Sequence, residues 1–404
     1  MDTGSTGFML LACSLVMLMT PGLAFFYGGL ATKRNILAIM IQSFVSLGWT
    51  TVLWVTFGYS LCFSGGAGGI LGNLDKAFLH GVLPTSMFSN GKIPEVVFIA
   101  YQMMFAIITP ALITGAFVNR VTFKSYFIFL TVWQIFVYYP FVHMIWGGGL
   151  LAEWGVIDFA GGIVVHATAG FAALASVFYV GARVNKNSTP NSIPLVAIGS
   201  GLLWFGWYGF NAGSELTVDF VTSTAFLNTD IAASFATVAW VVVEWIHVKR
   251  PKFVGLLTGG IAGLATITPC AGFVPLWASP IIGTAAGVVC YMAVQLKNRM
   301  KWDDALDVWG VHGVGGVLGT VLLGVFASKA VNAAGRDGMI FGNSVFFLKQ
   351  LVAVAFASAY AFIFTYLMLS LINLITRVRV SEEEEEIGLD AALHGERAYD
   401  EGAL

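Results

Sequence analysis

Apolar residues along this chain fall into long blocks separated by short polar or glycine- and proline-rich breaks, and the blocks show no period-two alternation. A helix rising ~1.5 Å per residue needs ~20 such residues to cross a hydrocarbon layer of ~30 Å. A barrel strand is about half that length and alternates, so the blocks predict helices. The breaks define about eleven spans: 7–31, 36–62, 95–118, 124–145, 160–181, 192–212, 225–247, 253–271, 278–296, 308–327 and 346–374. Composition then changes abruptly in the tail, RVRVSEEEEEIGLDAALHGERAYDEGAL. The expected architecture is an all-α integral membrane protein, with a membrane domain over 1–374 and a cytoplasmic tail over 375–404.

Composition agrees: 57% of the 404 residues are hydrophobic and 10% charged, whereas soluble chains carry roughly 25% charged residues. The net charge of −2 says little about partners; where the charges lie says more. Lys33, Arg34, Arg120, Lys124, Arg183, Lys186, Lys249, Arg250, Lys252, Lys297, Arg299, Lys301, Arg377 and Arg379 fall in one set of breaks. The opposite set holds Lys76, Lys92, Lys329, Arg336 and Lys349. Positive loops stay in the cytoplasm, so the N-terminus is expected outside and the C-terminus inside. The first span has no positive leader region and reads as retained rather than cleaved. Cys13, Cys62, Cys270 and Cys290 stand singly in or beside apolar runs, without metal or redox spacing, and read as packing residues.

A weak internal repeat crosses these spans. AIITP ends at Pro110 in the third span and ATITP at Pro269 in the eighth. His166 in the fifth span has a glycine four residues later, as does His312 in the tenth. An offset of five spans reverses orientation, so the halves read as inverted copies around a midplane site, the layout of transporters and channels.

Ionisable groups inside spans are costly and usually face a cavity or partner, which singles out the two histidines. Structural histidines or haem ligands are the other readings; six histidines in all argue against several haems. Asp158 falls two turns before His166, about 12 Å along an ideal helix, where a carboxylate can accept backbone N–H bonds or attract cations. Asp303, Asp304 and Asp307 precede the tenth span and suit helix capping. Trp146 stands before a glycine run, and its indole face can hold a small cation. Phe210 lies one turn before Ser214, with room left by Gly209 and Gly213. The run FSGGAGG lacks the Lys-Ser/Thr and strand context of a nucleotide loop. Asp230 in the seventh span has no evident role. The acidic tail reads as a solvated end or, because Ile387, Leu389, Leu393 and Tyr399 punctuate it, as a segment that docks on the inner face.

Taken together, MTPGLAFFYGGL, YQMMFA, HMIWGGGLLAEWGVIDFAGGIVVH, WFGWYGFNAGS, ITPCAGFV, DVWGVHGVGG and GLDAALHGERAY resemble the Amt/Mep/Rh family of ammonium transporters, on its Amt side. The resemblance implies an eleven-helix homotrimer in the cell membrane, with inverted five-helix repeats over about 7–181 and 192–327 and a final helix at 346–374. It implies transport rather than enzymatic catalysis, no cofactor, metal or nucleic acid, and lipid as the surrounding partner. Trp146, Phe105 and Ser214 would recruit ammonium outside, with Tyr101 or a neighbouring aromatic completing the wall and Asp158 nearby. Family members often have phenylalanine where Tyr101 stands. Phe105 and Phe210 would form a gate, and His166 and His312 a pore-lining pair that relays the proton while ammonia is conducted. A PII-type regulator would dock on the cytoplasmic face. A sensor that uses the same site and conducts little is the alternative.

Overall fold

The structure is a computed structural model that describes residues 1–66, 68–185 and 189–399; Lys186 lies outside the described residues. The hydrophobic blocks become α1 (Thr3–Leu30), α2 (Ile36–Phe63), α3 (Glu95–Ala116), α4 (Phe123–Trp154), α5 (Gly162–Val180), α6 (Ile193–Glu215), α7 (Phe220–Val248), α8 (Phe253–Ile267), α9 (Ala278–Arg299), α10 (Trp309–Phe326) and α11 (Ser344–Ile375). Among the described residues, ten of these are long and apolar enough to cross a membrane, and α8 is shorter. No strand forms among them; two isolated bridges, Met87 with Pro94 and Val121 with Arg379, are the β pairing.

Departures from the expected boundaries have local causes. Helix α7 begins earlier because the Asp219 side chain accepts from the Val221 and Thr222 N–H groups in a capping box with Thr222. Helix α8 stops at Ile267, two residues before Pro269, which has no N–H to continue the ladder. The following turn is held by Asn228, whose Nδ2 donates to the Ala271 and Val274 carbonyls. Asp158 is not part of a helix that runs to His166. The chain from Val156 to Gly161 is irregular, with Gly161 at φ 118°, and α5 starts only at Gly162.

The polar breaks segregate to two ends. At one end Arg120, wholly buried, donates to the Gly181, Ala116 and Asp303 carbonyls. Asp303 pairs with Arg183 at 2.7 Å. The tail packs there as well: the Thr122 N–H donates to Val378 and the Val380 N–H to Arg120. Its helices, α12 (Glu382–Ile387) and α13 (Leu389–His394), dock rather than float. Leu389 is buried against Ala38 and Val380. Asp390 accepts the Leu37 and Ala38 N–H groups at 3.1 and 2.8 Å, capping α2 from far along the chain. The other end gathers the N-terminus and the remaining loops, through Asp2 to Lys92, Ser5 to Thr217 and Asn332 to Glu215. The loops rich in Lys and Arg therefore share the tail's end.

Burial alone would raise the Asp303 carboxyl, but the Arg183 hydrogen bonds and the Arg120 charge outweigh it and hold Asp303 down to about 2, from a usual 3.8. A depressed carboxylate contributes stability that is present above its unfolded pKa and lost as pH falls through the folded one; here it is worth about 2 kcal/mol. Asp303→Asn should therefore lower the thermal midpoint of the solubilised protein at pH 7, by a difference that shrinks as pH drops from 4 towards 2. Melting curves of both proteins across that range check this, and an equal midpoint at pH 7 contradicts it.

Candidate functional site

Two short segments, one in each half, build the centre of the molecule in the same way. Each first helical stretch is a π turn: Gly162–Ala167 opens α5 and Trp309–Gly313 opens α10. The wider turn appears directly in the His166 N–H, which donates to Gly161, five residues back, at 2.9 Å. A buried aspartate lies eight residues before each histidine. The Asp158 oxygens accept four N–H groups, those of Gly161, Gly162, Ile163 and Val164, at 2.7–3.1 Å. Asp304 accepts those of Val308 and Trp309 at 3.1 and 2.8 Å. Helix N-termini leave such donors unpaired, and a carboxylate also opposes the positive end of the helix. Burial pushes the Asp158 carboxyl above its usual range while these bonds pull it back. Burial, with the neighbouring Asp307 charge, pushes Asp304 up to about 6 against the pull of Lys297.

Helices α5 and α10 then cross in contact. A Cβ on Gly170 would fall 2.1 Å from the Gly313 Cα, and one on Gly316 would fall 2.8 Å from the His166 Cβ. Only glycine permits this approach, which brings the Nδ1 atoms of His166 and His312 within 3.3 Å, with ring centroids 5.3 Å apart. Both rings are buried. Direct contact between the two Nδ1 atoms leaves no room for a haem between them. Among the described residues no group of three or more His, Cys, Asp or Glu is placed to hold a metal.

Three cavities line up on this pair. The outer one, about 650 Å³, opens at the end away from the tail and includes Trp146, Phe105, Ser214, Glu215 and Asp158 on its wall. Trp146 donates its indole N–H to the Asp158 carbonyl at 2.8 Å, which fixes the ring. Phe105 meets Trp146 edge-on, with centroids 5.7 Å apart, and lies against Phe210 at 4.2 Å. These two phenylalanines close the floor. Beneath Phe210 lies an apolar cavity of about 10 Å³, room for about one water, lined by Leu23, Ile108, Leu203 and both histidines; it is the lumen of the site. Trp207 stacks on His166 at 5.5 Å and gives its N–H to Thr268, so it offers the lumen only its face. His312 also lines a third cavity, of about 130 Å³, with Tyr27, Leu306 and Asp307 at the tail's end.

A mouth with polar groups, an aromatic floor, an apolar lumen with two imidazoles and a mixed cavity at the tail's end form a series suited to a small molecule. The family model described as "Ammonium Transporter Family" matches residues 7–399. The chain belongs to the ammonium transporter family. It is 43% identical over 401 residues to the ammonium transporter of Bacillus subtilis (strain 168), covering 99% of each chain. Its identity to ammonium transporter Amt1 of Archaeoglobus fulgidus is also 43%, over 99% of this chain and 100% of that one. Among solved structures, Mep2 of Candida albicans superposes with a TM-score of 0.88 at 35% identity, covering 95% of this chain and 88% of that one. A structure described as "Sensor Amt Protein" matches with a TM-score of 0.87 at 29% identity, over 96% and 98% of the two chains. As a family member the chain is a multi-pass membrane transporter of ammonium.

Of the residues singled out in the sequence, Trp146, Phe105, Ser214, Phe210, His166 and His312 meet along the path. Tyr101 does not line the outer cavity; it is wholly buried behind Phe105. The Asp158 carboxylate is given to backbone N–H groups, and the residue meets the cavity at its edge. Asp230 accepts the Tyr208 hydroxyl at 2.6 Å and the Trp204 indole N–H at 3.3 Å, binding α7 to α6 away from the lumen. Asp304 was legible as a cap but not as the counterpart of Asp158; the equal eight-residue spacing to each histidine is the signal. Trp207 sits inside the motif WFGWYGF, where no charge or spacing marks it among the other aromatic residues. Glu215 was missed because nothing beside Ser214 in sequence marks it; it accepts a long 3.4 Å bond from Asn332.

In Asp158→Asn one oxygen becomes an NH2, which faces the Ile163 and Val164 donors or their neighbours. Each buried donor left unpaired costs about 1–3 kcal/mol, so the variant should melt well below the parent, and Asp304→Asn, with two bonds at stake, by less. Thermal unfolding in detergent measures the order, and an Asp158→Asn midpoint equal to the parent's contradicts it.

Proposed function

We propose that the protein recruits NH4+ at the outer mouth, strips its proton, and conducts NH3 through the lumen while the proton crosses separately, so that transport is electrogenic. The observation that carries this reading is the Nδ1–Nδ1 contact of His166 and His312 in a small apolar lumen. A cation entering such a lumen loses its hydration with nothing of opposite charge to replace it, a very large cost, whereas neutral ammonia loses little. Ammonium has a proton to give up; potassium has none.

At the mouth, the Trp146 and Phe105 faces and the Ser214 oxygen receive the cation, an attraction of about 2 kcal/mol or more per aromatic face once water is partly removed. Glu215 on the same wall adds carboxyl oxygens that can accept from an N–H donor. In the neutral histidine pair one Nδ1 must donate and the other accept. One Nε2 is then an acceptor and the other an N–H donor, so the lumen can hand a hydrogen bond along its length. The His166 Nε2 has no protein partner, as a site reserved for the permeating molecule requires.

By family resemblance, the reading includes a homotrimer with the N-terminus outside, and a PII-type regulator at the tail-bearing face, where the Asp390 cap presents a folded tail. A sensor would share this fold, as the match to a sensor protein illustrates, and current discriminates the two. An ammonium pulse across proteoliposomes on a solid-supported membrane should give a transient inward current that an equal potassium pulse does not. Absence of current at saturating ammonium would contradict the separate proton path, and absence of ammonia uptake as well, read by a pH dye inside the vesicles, would move the protein to the sensor class; equal currents for the two ions would contradict deprotonation.

A further inference from the structure

Tyr101 lies on α3 one turn before Phe105, wholly buried, with its ring 5.0 Å from that of Phe105. Its hydroxyl stands 2.8 Å from the carbonyls of both Gly209 and Phe210, in the last turn of α6, and 3.3 Å from the Ser214 Oγ. Gly213 makes room for it: a Cβ there would fall 2.6 Å from the phenol oxygen and 2.8 Å from the ring. The phenol thus fills a notch in α6 and reaches both the backbone that carries the gate ring Phe210 and the hydroxyl that faces the mouth.

We propose that Tyr101 is a positioning residue that fixes the direction of the Ser214 hydroxyl and the register of α6 against α3, and so sets the affinity of the mouth for a hydrogen-bond-donating cation. The proton inventory gives the direction. A phenol has one proton, which goes to a carbonyl of the last turn and leaves the phenol oxygen free to accept. The Ser214 proton has two acceptors, Phe210 O at 2.9 Å and the phenol oxygen at 3.3 Å. Both lie on the α6 and α3 side, so the Ser214 lone pairs are left to the cavity, where they accept from an N–H donor. The same contacts tie the Phe210 backbone to the helix carrying Phe105, whose ring lies 4.2 Å from that of Phe210. A buried hydroxyl that spans both helices in this way holds the two halves of the gate in register.

The inference rests on the recruitment site described above, and its test separates the two. Ammonium binding to the purified full-length protein is measured by calorimetry with ammonium chloride against potassium chloride, and current is recorded in parallel from proteoliposomes. Tyr101→Phe keeps the ring and removes the oxygen; it should weaken ammonium affinity about five-fold, the value of one hydrogen bond, with the maximal current within about two-fold. In a Ser214→Ala background the same change should weaken affinity by less than about two-fold, because the partner is gone. Gly213→Ala keeps both hydroxyls and displaces the phenol, and it should reproduce the loss. A five-fold loss that persists in the Ser214→Ala background, a fall in maximal current with affinity unchanged, or no change in Tyr101→Phe and Gly213→Ala overturns the proposal. A parent protein that binds ammonium but carries no current removes the transport reading and leaves the affinity ratios to decide the role of Tyr101.

Discussion

Two buried carboxylates hold the starts of two helices that would otherwise present bare N–H groups to an apolar interior, and the rest of the molecule is arranged around that constraint. With no water in a hydrocarbon layer, every such donor needs a protein acceptor. Asp158 takes four and Asp304 two. Each carboxylate thereby fixes a π turn, each π turn carries a histidine, and the crossing of α5 and α10 at glycines brings the two imidazoles together at their Nδ1 edges. The pairing of the histidines follows from backbone capping before any property of the imidazoles enters.

Polarity is then graded along one axis. The mouth has Glu215, Ser214 and an indole; the exit has Asp307 and Tyr27; between them lie aromatic and aliphatic walls and the imidazole pair. On the proposed reading, that grading would treat ammonium and its conjugate base differently, because a bare cation in the apolar middle would lose its hydration without replacement. It also explains why so much hydrogen bonding is spent outside the lumen. The indole of Trp207 goes to Thr268 and that of Trp146 to a backbone carbonyl, so each ring meets the path as a surface rather than as a donor, and the hydroxyl of the buried Tyr101 goes to α6. At the tail's end, Arg120, Asp303 and Arg183 tie three loops into one platform on which the tail lies.

Much of this was legible in the sequence because a membrane imposes long, unambiguous apolar blocks. The order and type of the helices follow from that, as do the histidines, which stand out as ionisable groups in apolar runs. Family resemblance, rather than periodicity, brought Phe105 and Phe210 together, since one phenylalanine among 33 carries no signal of its own. The path of the chain before α5 is not legible: spacing alone puts Asp158 on the helix of His166, whereas Gly161 at positive φ turns the chain so that the side chain folds back over the helix start. Helix α8 was drawn four residues too long because an apolar composition continues past the point where Pro269 ends the hydrogen-bond ladder. The Tyr101 contacts were invisible for another reason. They join residues more than a hundred positions apart, and only the packing of α3 on α6 brings them into range.

The central claim is that the imidazole pair in an apolar lumen is what separates ammonium from other cations. The most direct test is the proteoliposome current of the His166→Ala, His312→Ala double variant under ammonium and potassium pulses of equal size, on protein shown to be folded by its melting curve. Selective ammonium current should disappear, either because no current flows or because potassium now carries one as well. An ammonium current and a rejection of potassium both equal to those of the parent would contradict the account.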